Sequence, residues 1–516
     1  MLNRRINFKK NWFWYASGLL IVLFVFSRFY LLGARPMHHD EGMLAYFADK
    51  LAFEEDYIYT PQIHGPILFY FTALFMKLFG SSDMIARLSC AICGIFLGSI
   101  PLFFRKDLGK KTAIIISLIL LTSPTILYYS RFLVHTSIYI LFNLLFILFI
   151  WRFFKKFKTV DVMLAAFFLA LMFGTSETSY IFIVAMLSFV IPFVLIDRKK
   201  FLSKWRELVK FTKSNYLDLL SAVLVFVLTW LVLYSVGLTN LKSLEISIPN
   251  PFSTDTGLGF WLAQNPNRLG GQPWYFYIIL AFSYEPMMIL GYILATIYLI
   301  MHRKNTFMMY LFWWATVNFG IFSWAGEKFP WLFLPSLVAL SVYIGYFLGQ
   351  TWAGFRLISK IIWIVLLGLT IFVAVRLVYI NPADTNELNV YVQTPASFEA
   401  EINKIIQECN GSSKDCVLIN SSISWPLTWN FREFGRLDNL DREPLPGDSR
   451  VILTDKQIGF LDTSDAWTRR SVTLRDWWVP ETCLNIKCVP KFVNYYFTRE
   501  TWNAKGGYDI FIYERQ

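Results

Sequence analysis

The sequence has few charged residues. Asp, Glu, Lys and Arg make up 16% of the 516 residues, whereas soluble domains contain about 25%. Hydrophobic residues make up 56%, the mean hydropathy is +0.46, and apolar runs recur from Trp12 to Ile380. Runs of this length exclude a soluble fold for this part of the chain, and they predict a polytopic α-helical membrane protein.

Acidic residues are too few to balance the basic ones, and the formal net charge is +12. The basic residues fall between the apolar runs, as at 105–111, 152–158 and 198–213. This is the positive-inside pattern of cytoplasmic loops, so the charge indicates membrane topology and no nucleic-acid partner. The first apolar run is too long for a signal peptide and no small-residue cleavage site follows it, so we expect a retained first helix.

Cysteine is also scarce, with six residues. Two lie in an apolar run and are expected to be packing residues. The other four form two close pairs in the polar C-terminal region, Cys409 with Cys416 and Cys483 with Cys488. Their spacing does not resemble a zinc ribbon. If this region lies outside the cytoplasm, one or two disulfides are expected.

The apolar run from Pro66 to Phe79 is shorter than the roughly 17–25 residues of a spanning helix, and no basic residue follows it directly. We therefore expect an interfacial or re-entrant helix within the first external loop. With that assignment the basic loops predict about eleven transmembrane helices. The predicted spans are Trp12–Leu32, Met84–Phe104, Thr112–Leu127, a run ending at Phe154, Val160–Phe173, a run ending at Ile196, Leu217–Val236, Tyr275–Met301, Phe307–Trp324, a run ending at Leu348, and Ile361–Ile380.

The composition becomes that of a soluble domain after residue 380. A helical pattern at 396–408 precedes short β-rich runs at 416–419, 451–454 and 508–513. We predict a helical transmembrane domain over 1–380, with a first external loop at 33–83, and a soluble α/β domain over 381–516. The second domain is expected on the extracytoplasmic side of the plasma membrane. No internal repeat or low-complexity tract is visible.

The first external loop concentrates residues that carry chemistry, namely His39, Asp40, Glu41, Tyr59 and His64. Charged residues at the end of a membrane helix are costly unless they are solvated, paired or functional. In the predicted topology further polar residues lie at the same outer face, and they are Arg131, Glu177, Arg268, Tyr284, Glu285, Glu327 and Lys328. This convergence predicts one cavity at the outer face, lined by carboxylates and cations.

Such a cavity holds the groups that sugar transfer needs. A carboxylate takes the proton from an acceptor hydroxyl as that oxygen attacks the anomeric carbon. Cations hold the leaving phosphate and stabilise its developing charge. Because no nucleotide sugar is expected outside the cytoplasm, the activated sugar would have to be lipid-linked.

Each candidate also has a structural interpretation. Asp40 and Glu41 are suited to cap the helix that follows them. Arg131 at a helix end is able to extend to the membrane surface, and Glu327 is able to pair with Lys328. Carboxylates near apolar runs, at positions 177 and 285, are expensive when unpaired, which favours a functional role for them.

A divalent metal ion is left open as a cofactor. His39, Asp40 and His64 are the candidate ligands, because imidazole and carboxylate both bind such ions. Their spacing defines no geometry, so the sequence identifies no particular metal.

Several stretches resemble the GT-C superfamily of membrane glycosyltransferases, in the branch that protein O-mannosyltransferases share with the lipid A aminoarabinose transferase. The order of the pair Asp40-Glu41, Pro66, Gly80 with Arg87, and 123–131 follows that branch. The chain is more similar still to a prokaryotic family, best known from archaea, of flippase-activity-associated proteins in N-glycosylation pathways. The matching stretches span nearly the whole chain and include 39–42 (HDEG), 59–66 (YTPQIHGP), 128–132 (YYSRF), 268–277 (RLGGQPWYFY) and 325–332 (AGEKFPWL).

The resemblance implies that residues 1–380 form a GT-C-like transmembrane domain whose first external loop, 33–83, is catalytic. It also implies that Asp40 is the catalytic carboxylate, that Glu41 lies in the same site, and that a polyprenyl-phosphate sugar is the donor. Two features depart from the family. Val134 and Thr136 stand where a second Arg and an acidic residue are usual, and a serine precedes Glu177 where Lys is common. Both departures weaken the case for a two-carboxylate metal site. The WWDYG signature of oligosaccharyltransferases is absent, which argues against transfer of a whole glycan to Asn.

We therefore predict an inverting glycosyltransferase that moves a sugar from a polyprenyl-phosphate-linked donor to a lipid, glycan or protein acceptor at the outer membrane face. Asp40 is the predicted general base, and Glu41 is predicted to orient donor or acceptor. The predicted substrate-binding residues are His39, His64, Tyr59, Arg131, Glu177, Arg268, Tyr284, Glu285, Glu327 and Lys328, of which the two arginines and the lysine are the candidate phosphate contacts.

Two other functions remain as alternatives. A flippase for lipid-linked sugars predicts polar residues along a transmembrane path and some repeat symmetry, and the sequence shows neither. A non-catalytic scaffold gives no reason for charged residues at the ends of so many helices.

Overall fold

The structure is a computed structural model, and it describes residues 8–54, 59–264, 272–302, 305–326, 328–409, 415–438, 440, 449–481 and 486–516. Helices dominate up to residue 380. Their bounds are α1 Phe8–Phe29, α2 His39–Phe53, α3 Ile67–Phe79, α4 Asp83–Phe103, α5 Arg105–Leu108, α6 Lys110–Thr122, α7 Pro124–Tyr129, α8 His135–Lys156, α9 Thr159–Phe173, α10 Thr178–Ser188, α11 Val190–Ile196, α12 Arg198–Ser214, α13 Tyr216–Tyr234, α14 Lys242–Ser247, α15 Gly257–Gln264, α16 Phe276–Tyr284, α17 Pro286–Met301, α18 Thr306–Trp324, α19 Leu334–Thr351 and α20 Leu357–Val375.

Within the described ranges, seven helices are long and apolar enough to cross a membrane. The count is eight if α16 and α17, which are bent by 108° at their junction, form one broken span. Every predicted span is helical in the structure, but five of them differ from a single long apolar helix. The third is divided into α6 and α7, the fifth (α9) has 15 residues, the sixth is divided into α10 and α11, the eighth is the bent pair, and the ninth (α18) contains three Trp and one Asn.

Local sequence explains two of these departures. Ser123 ends α6 and caps α7 by accepting a hydrogen bond from the backbone N–H of Ile126, and Pro124 occupies the first position of α7, where a missing N–H costs nothing. Pro286 likewise begins α17 directly after Glu285. Proline lacks the backbone N–H that a continuing helix would use and its ring crowds the preceding turn. Each break therefore lies at a proline, Pro124 in one case and Pro286 in the other. The α3 helix has 13 residues and is short, as predicted.

The chain forms two compact units. The first, here called the helical unit, contains Met1–Tyr30, Ile58–Leu68 and Leu88–Val378. The second, here called the mixed unit, contains Leu31–Tyr57, Phe69–Arg87 and Tyr379–Gln516. The mixed unit therefore includes two stretches that precede residue 380, the boundary expected from the sequence.

The mixed unit contains a five-stranded sheet. Its further elements are α21 Ala396–Cys409, β1 Val417–Asn420, α22 Ser424–Asn430, β2 Gly435–Asp438, β3 Val451–Thr454, α23 Gly459–Asp462, β4 Trp467–Trp477, α24 Val489–Thr498 and β5 Gly506–Arg515. The strand order is β2-β1-β3-β5-β4, with β1 parallel to β2 and β3, and β5 antiparallel to β3 and β4. The predicted helix at 396–408 and the three predicted β-rich runs are confirmed as α21, β1, β3 and β5.

Apolar side chains cover both faces of this sheet. Ile405 of α21 packs with Val417 of β1 on one face, and Leu418 of β1 packs with Leu461 of α23 on the other. All four residues of β1 are buried, as in a central strand of an α/β sheet. A disulfide joins Cys409 to Cys416, one of the two close pairs that the sequence left open. Cys488 is disulfide-bonded, and Cys483 lies outside the described residues.

Within the mixed unit, α2 packs closely against the segment that begins α22. The rings of Tyr46 and Phe47 lie 5.4 and 5.9 Å from the ring of Trp425. A Cβ atom at position 42 would come within 2.6 Å of Pro426 Cβ and 2.8 Å of its Cα. Gly42 is therefore required for close approach between the two segments.

The packing predicts opposite effects for two Gly→Ala substitutions within helices. Gly42→Ala should lower the free energy of unfolding by about 1–3 kcal/mol, because the added methyl overpacks the contact with Pro426. Gly18→Ala in α1 has nothing within 4 Å of the added carbon, so it should be neutral or stabilising by up to ~1 kcal/mol. Thermal unfolding of both purified variants measures the difference, and equal melting temperatures would contradict the packing.

Candidate active site

Asp40 lies at the N-terminus of α2, where the local sequence forms a capping box. His38 is the N-cap, and its Nδ1 accepts a hydrogen bond from the backbone N–H of Asp40 at 3.0 Å. Glu41, at the third helical position, accepts the backbone N–H of His38 at 3.2 Å. The box satisfies donors that the helix itself leaves open. It fixes the backbone on both sides of Asp40, whose carboxylate remains 35% exposed.

Glu41 has no exposed side-chain surface, and it forms the centre of a buried ion cluster with Arg35 and Arg87. Arg87 donates from Nε and from one terminal nitrogen to the two carboxylate oxygens, each at 2.9 Å. Arg35 lies 2.8 Å from Oε2. Two guanidinium groups on one carboxylate are strong, directional partners, and they compensate the cost of burying its charge.

The same two arginines hold the chain that leads into α2. Arg87 also donates to the backbone carbonyls of Leu32, Arg35 and Pro36, at 3.2, 2.9 and 3.2 Å. Arg35 donates to the side-chain oxygen of Gln393 at 2.8 Å, and Gln393 donates back to the carbonyl of Pro36 at 3.0 Å. The carbonyls of this loop thus receive hydrogen bonds from side chains in place of a backbone ladder.

These contacts bear on the role that the sequence indicated for Glu41. Its carboxylate has no exposed surface and has two arginine partners. Glu41 thus contacts both the loop and the helix start that hold Asp40, and its predicted role in orienting donor or acceptor stays a prediction. Of the two carboxylates that the sequence suggested as helix caps, Glu41 has this capping contact. The partly exposed carboxylate is that of Asp40.

Both histidines beside Asp40 are neutral at neutral pH. Burial lowers the pKa of His38 to about 4, and burial together with the charge of Arg475 lowers the pKa of His39 to about 3. The neutral ring of His38 accepts at Nδ1, so its Nε2–H donates to the carbonyl of Tyr391 at 2.8 Å. His39 Nδ1 lies 3.3 Å from Asp40 Oδ1, and because that ring is neutral the contact is not an ion pair.

Arg475 on β4 is a cation that the sequence did not indicate. Its guanidinium lies 5.2 Å from the ring centre of Tyr508, its partner on β5. Burial lowers the pKa of Arg475, and the charge of Asp40 is one of the groups that oppose this shift. Its Nε is buried and has no hydrogen-bond partner among the described residues. The mixed unit thus places a cation in the electrostatic environment of Asp40 and His39.

A second polar cluster lies in the helical unit and contains three predicted site residues. His64 Nδ1 lies 2.6 Å from Glu177 Oε2, and Tyr59 donates to Glu177 Oε1 at 3.1 Å. The His64 ring stacks on Trp261 with centroids 4.3 Å apart, and it meets the ring of His135 edge-on at 5.1 Å. His64 has φ +62° and ψ −167°, a strained combination for a residue with a side chain, of the kind found at functional sites.

Other predicted site residues have structural partners. Arg131 donates to the carbonyls of Ser27 and Arg28 at 3.0 and 2.9 Å, so it caps the C-terminus of α1. Lys328 donates to the carbonyl of Ala325, the C-cap residue of α18, at 2.7 Å. Both cations thus have backbone partners, and their phosphate-binding roles stay predictions.

The remaining candidates divide into buried residues and residues outside the described ranges. Glu285 is buried and accepts hydrogen bonds from the hydroxyl of Ser123 at 2.7 Å and the N–H of Thr125 at 3.1 Å. Tyr284 is also fully buried. Arg268 and Glu327 lie outside the described residues, so the predicted pairing of Glu327 with Lys328 stays a prediction.

The described residues contain no group of three or more His, Cys, Asp or Glu side chains arranged to hold a metal ion. Of the three candidate ligands, His39 and Asp40 are neighbours in the mixed unit, whereas His64 is paired with Glu177 in the helical unit. Two neighbouring ligands are fewer than the three or four protein ligands typical of zinc sites.

The buried ion cluster predicts a large difference between single and double substitutions. Arg87→Met should destabilise the protein by about 3–5 kcal/mol, because it leaves the buried Glu41 carboxylate with one partner fewer. Combining it with Glu41→Gln should recover part of that loss, because the uncompensated charge is gone. Denaturant unfolding of the single and double variants measures the coupling free energy. Additive effects would show that the two side chains do not depend on each other.

Comparison with known proteins gives a family match and a set of structural matches. The family model described as dolichyl-phosphate-mannose-protein mannosyltransferase matches residues 63–232. A search of the curated proteins gave no significant match.

The fold is shared by solved membrane proteins at low sequence identity. ArnT from Cupriavidus metallidurans bound to undecaprenyl phosphate is 12% identical, with a TM-score of 0.58 over 98% of this chain and 98% of that one. The Archaeoglobus fulgidus oligosaccharyltransferase in its apo form is 12% identical, with a TM-score of 0.54 over 87% and 70% of the two chains. The archaeal oligosaccharyltransferase AglB from the same organism, in complex with an inhibitory peptide and a dolichol-phosphate, is 12% identical, with a TM-score of 0.53 over 83% and 64%. The family model thus matches about a third of the chain, within its helical part, and the structural matches show that the chain shares its fold with ArnT and with the archaeal oligosaccharyltransferases.

Proposed function

We propose that the protein is an integral-membrane glycosyltransferase that moves one sugar from a polyprenyl-phosphate-linked donor to a hydroxyl of a lipid, glycan or protein acceptor. The observation that carries the proposal is the environment of Asp40. Its carboxylate is partly exposed, it is fixed by a capped helix start and a buried ion cluster, and it lies near an arginine whose Nε has no hydrogen-bond partner in the described chain.

Asp40 is the general base in this proposal. As the acceptor oxygen attacks the anomeric carbon, its proton passes to the Asp40 carboxylate, the new glycosidic bond forms, and the bond from that carbon to the donor phosphate breaks. Attack from the face opposite the phosphate inverts the configuration at the anomeric carbon. A single ionised carboxylate is sufficient for this displacement.

Arg475 is the proposed contact for the donor phosphate. The leaving phosphate gains negative charge, and a guanidinium group stabilises it through directed hydrogen bonds. Arg35 and Arg87 already serve Glu41, and Arg131 serves two backbone carbonyls. Arg475 combines proximity to Asp40 with a free donor among the described residues.

The cluster in the helical unit is proposed as a substrate-binding element. Glu177 holds His64 and Tyr59 through its two oxygens, and Trp261 covers one face of the His64 ring. Aromatic rings with a few placed polar groups are typical of small-molecule sites. His64 and Tyr59 are the proposed direct contacts, and Glu177 is proposed to orient them.

Two structural neighbours hold ligands that support the donor class. One is bound to undecaprenyl phosphate, and another holds a dolichol-phosphate together with a peptide. These ligands support a polyprenyl-phosphate carrier and leave a lipid or a protein as acceptor. The soluble domain, residues 381–516, is proposed to lie on the extracytoplasmic side of the plasma membrane. The proposed reaction contains no metal step, and a divalent ion remains a cofactor to be tested.

Removing the proposed base should abolish transfer while leaving carrier binding intact. Asp40→Asn should lower kcat by about 10²–10⁴-fold, the usual contribution of a positioned general base. Asp49→Asn, on the same helix, is the matched control, because Asp49 accepts a hydrogen bond from Ser81 and has no proposed role. Transfer of radiolabelled sugar from synthetic polyprenyl-phosphate sugars to membrane lipid and protein extracts measures both variants.

Two further arms of that assay decide between functions. Addition of EDTA tests whether sugar transfer requires a divalent metal ion. This result is independent of the comparison between wild type and Asp40→Asn. If the wild type consumes no donor, and if Asp40→Asn and wild type move fluorescent carrier lipid across vesicle membranes equally well, the protein is a flippase and the transferase proposal is wrong.

Arg475→Ala is predicted to weaken donor binding more than it slows the chemical step. The KM for the donor should rise about tenfold or more, as expected for loss of one charged hydrogen bond. Arg469→Ala, on the same strand, is the control, because Arg469 is paired with Asp462 at 2.7 Å. If Arg475→Ala changes only the pH dependence of kcat, then this arginine tunes Asp40 and does not bind phosphate.

A further inference from the structure

The helical unit contains a large cavity at one end of α17. Its volume is about 1410 Å³, which exceeds the roughly 300–1,000 Å³ of most small-molecule sites. It is lined by Tyr298 and His302 at the C-terminal end of α17, whereas Glu285 precedes the other end of that helix. Since a helix of this length spans about 24 Å, the cavity and Glu285 lie at opposite ends of α17.

The wall of this cavity is strongly aromatic. It is formed mainly by α8, α12, α17 and α18, with smaller contributions from α10 and α11, and its larger side chains include Trp151, Phe189, Phe193, Phe201, Trp205 and Tyr310. A surface of this composition is suited to hydrocarbon chains, because flat rings and aliphatic chains exclude water from each other.

Cations outnumber anions in the lining. Lys155, Lys200 and Lys204 line the cavity together with one acidic residue, Asp107. Asp107 is paired, since Lys156 lies 2.8 Å and Lys155 lies 3.6 Å from its carboxylate, so among the described lining residues Lys200 and Lys204 supply the excess of positive charge. The cavity therefore combines an apolar wall with an excess of positive charge, and its electrostatic complement is an amphiphile with an anionic head.

The α12 helix, which forms part of the wall, has the character of a membrane-surface helix. It carries seven basic residues and one acidic residue, Glu207, and none of its side chains is buried. Glu207 lies 2.8 Å from Lys204 in an exposed pair, and such pairs contribute little and are readily replaced by a stronger anion. Trp205 lines the cavity although it is 54% exposed. A basic amphipathic helix with exposed aromatic residues is typical of the interface between lipid headgroups and acyl chains.

We propose that this cavity binds a membrane lipid with an anionic phosphate headgroup, through residues other than the proposed donor contacts. The chains lie against the aromatic wall between α8 and α11. The phosphate lies among Lys155, Lys200 and Lys204, at the end of the helices where the basic loops gather. A lipid, and not a free phosphate, is the occupant, because a soluble anion leaves the aromatic wall uncovered.

The test measures lipid binding to the purified full chain. Native mass spectrometry after delipidation compares phosphatidylglycerol, undecaprenyl phosphate and the zwitterionic phosphatidylcholine, with inorganic phosphate as a competitor. The double variant Lys200→Ala/Lys204→Ala removes two cations of the lining. The matched control is Lys210→Ala/Lys213→Ala, which removes two cations of the same helix that do not line the cavity.

The wild type should bind at least one of the anionic lipids about tenfold more tightly than phosphatidylcholine, and the preferred lipid identifies the chain type. The lining variant should lose about tenfold in affinity, because each lysine–phosphate contact is charge-assisted. The control variant should stay close to wild type, and a diazirine-labelled lipid should cross-link to the segment from Phe189 to Trp205.

Four results would overturn the proposal. If phosphatidylcholine binds as tightly as the anionic lipids, the bound lipid belongs to the non-specific lipid layer around the helices. Equal losses in the two lysine variants would show a general surface-charge effect. Displacement of the lipid by inorganic phosphate would show a site for a free anion. Loss of lipid binding in Asp40→Asn, with the lining variant unaffected, would place the lipid at the donor site.

Discussion

The buried contact between Glu41 and the two arginines, Arg35 and Arg87, is the interaction on which the proposed active site depends. The segment that precedes α2 forms no strand and no helix, so its backbone carbonyls need donors from elsewhere. Arg87 supplies three of these hydrogen bonds. It also donates two hydrogen bonds to the two carboxylate oxygens of Glu41. Arg87 therefore fixes both the loop before α2 and, through Glu41, the first turn of α2. Asp40 lies between these two segments in the chain.

The adjacent carboxylates of Asp40 and Glu41 therefore differ in burial and in ion pairing, although they are neighbours in the chain. Glu41 is fully buried and is paired with Arg35 and Arg87. Asp40 is partly exposed, and the neutral imidazole rings of His38 and His39 lie beside it without placing a second charge against it. The proposed base benefits from this arrangement, because no Lys or Arg among the described residues forms a close ion pair with its carboxylate.

Hydrophobicity predicted the helices well, because the cost of burying backbone in lipid leaves few alternatives to a helix. It did not indicate where a helix breaks. The 108° bend between α16 and α17 lies at Glu285 and Pro286, within a run that is otherwise mainly apolar. Strand β4 was also missed, since most of its residues are charged or polar, as is usual for the edge of a sheet.

The site itself was only partly predictable, and the reason is the same for each missed residue. Asp40 and Glu41 were identified because acidic residues at the end of a membrane helix are expensive. Which of the two is exposed depends on Arg87, Gln393 and the fold of the mixed unit, and no local pattern around residue 40 contains that information. Arg475 stands in a strand with two other arginines, so nothing in its neighbourhood distinguishes it before folding.

Burial of an ion cluster is seldom the most stable solution for a protein core, since well-packed apolar residues often do as well or better. Here an apolar replacement for Arg87 would fill the volume but would donate no hydrogen bonds. Without Arg87 the carbonyls of Leu32, Arg35 and Pro36 would lose this side-chain donor, and the loop would lose three of the hydrogen bonds that hold its conformation. The cluster thus exchanges some stability for a defined geometry. The proposed transferase reaction needs that geometry, because a base displaced by about 1 Å can lose ~10² in rate.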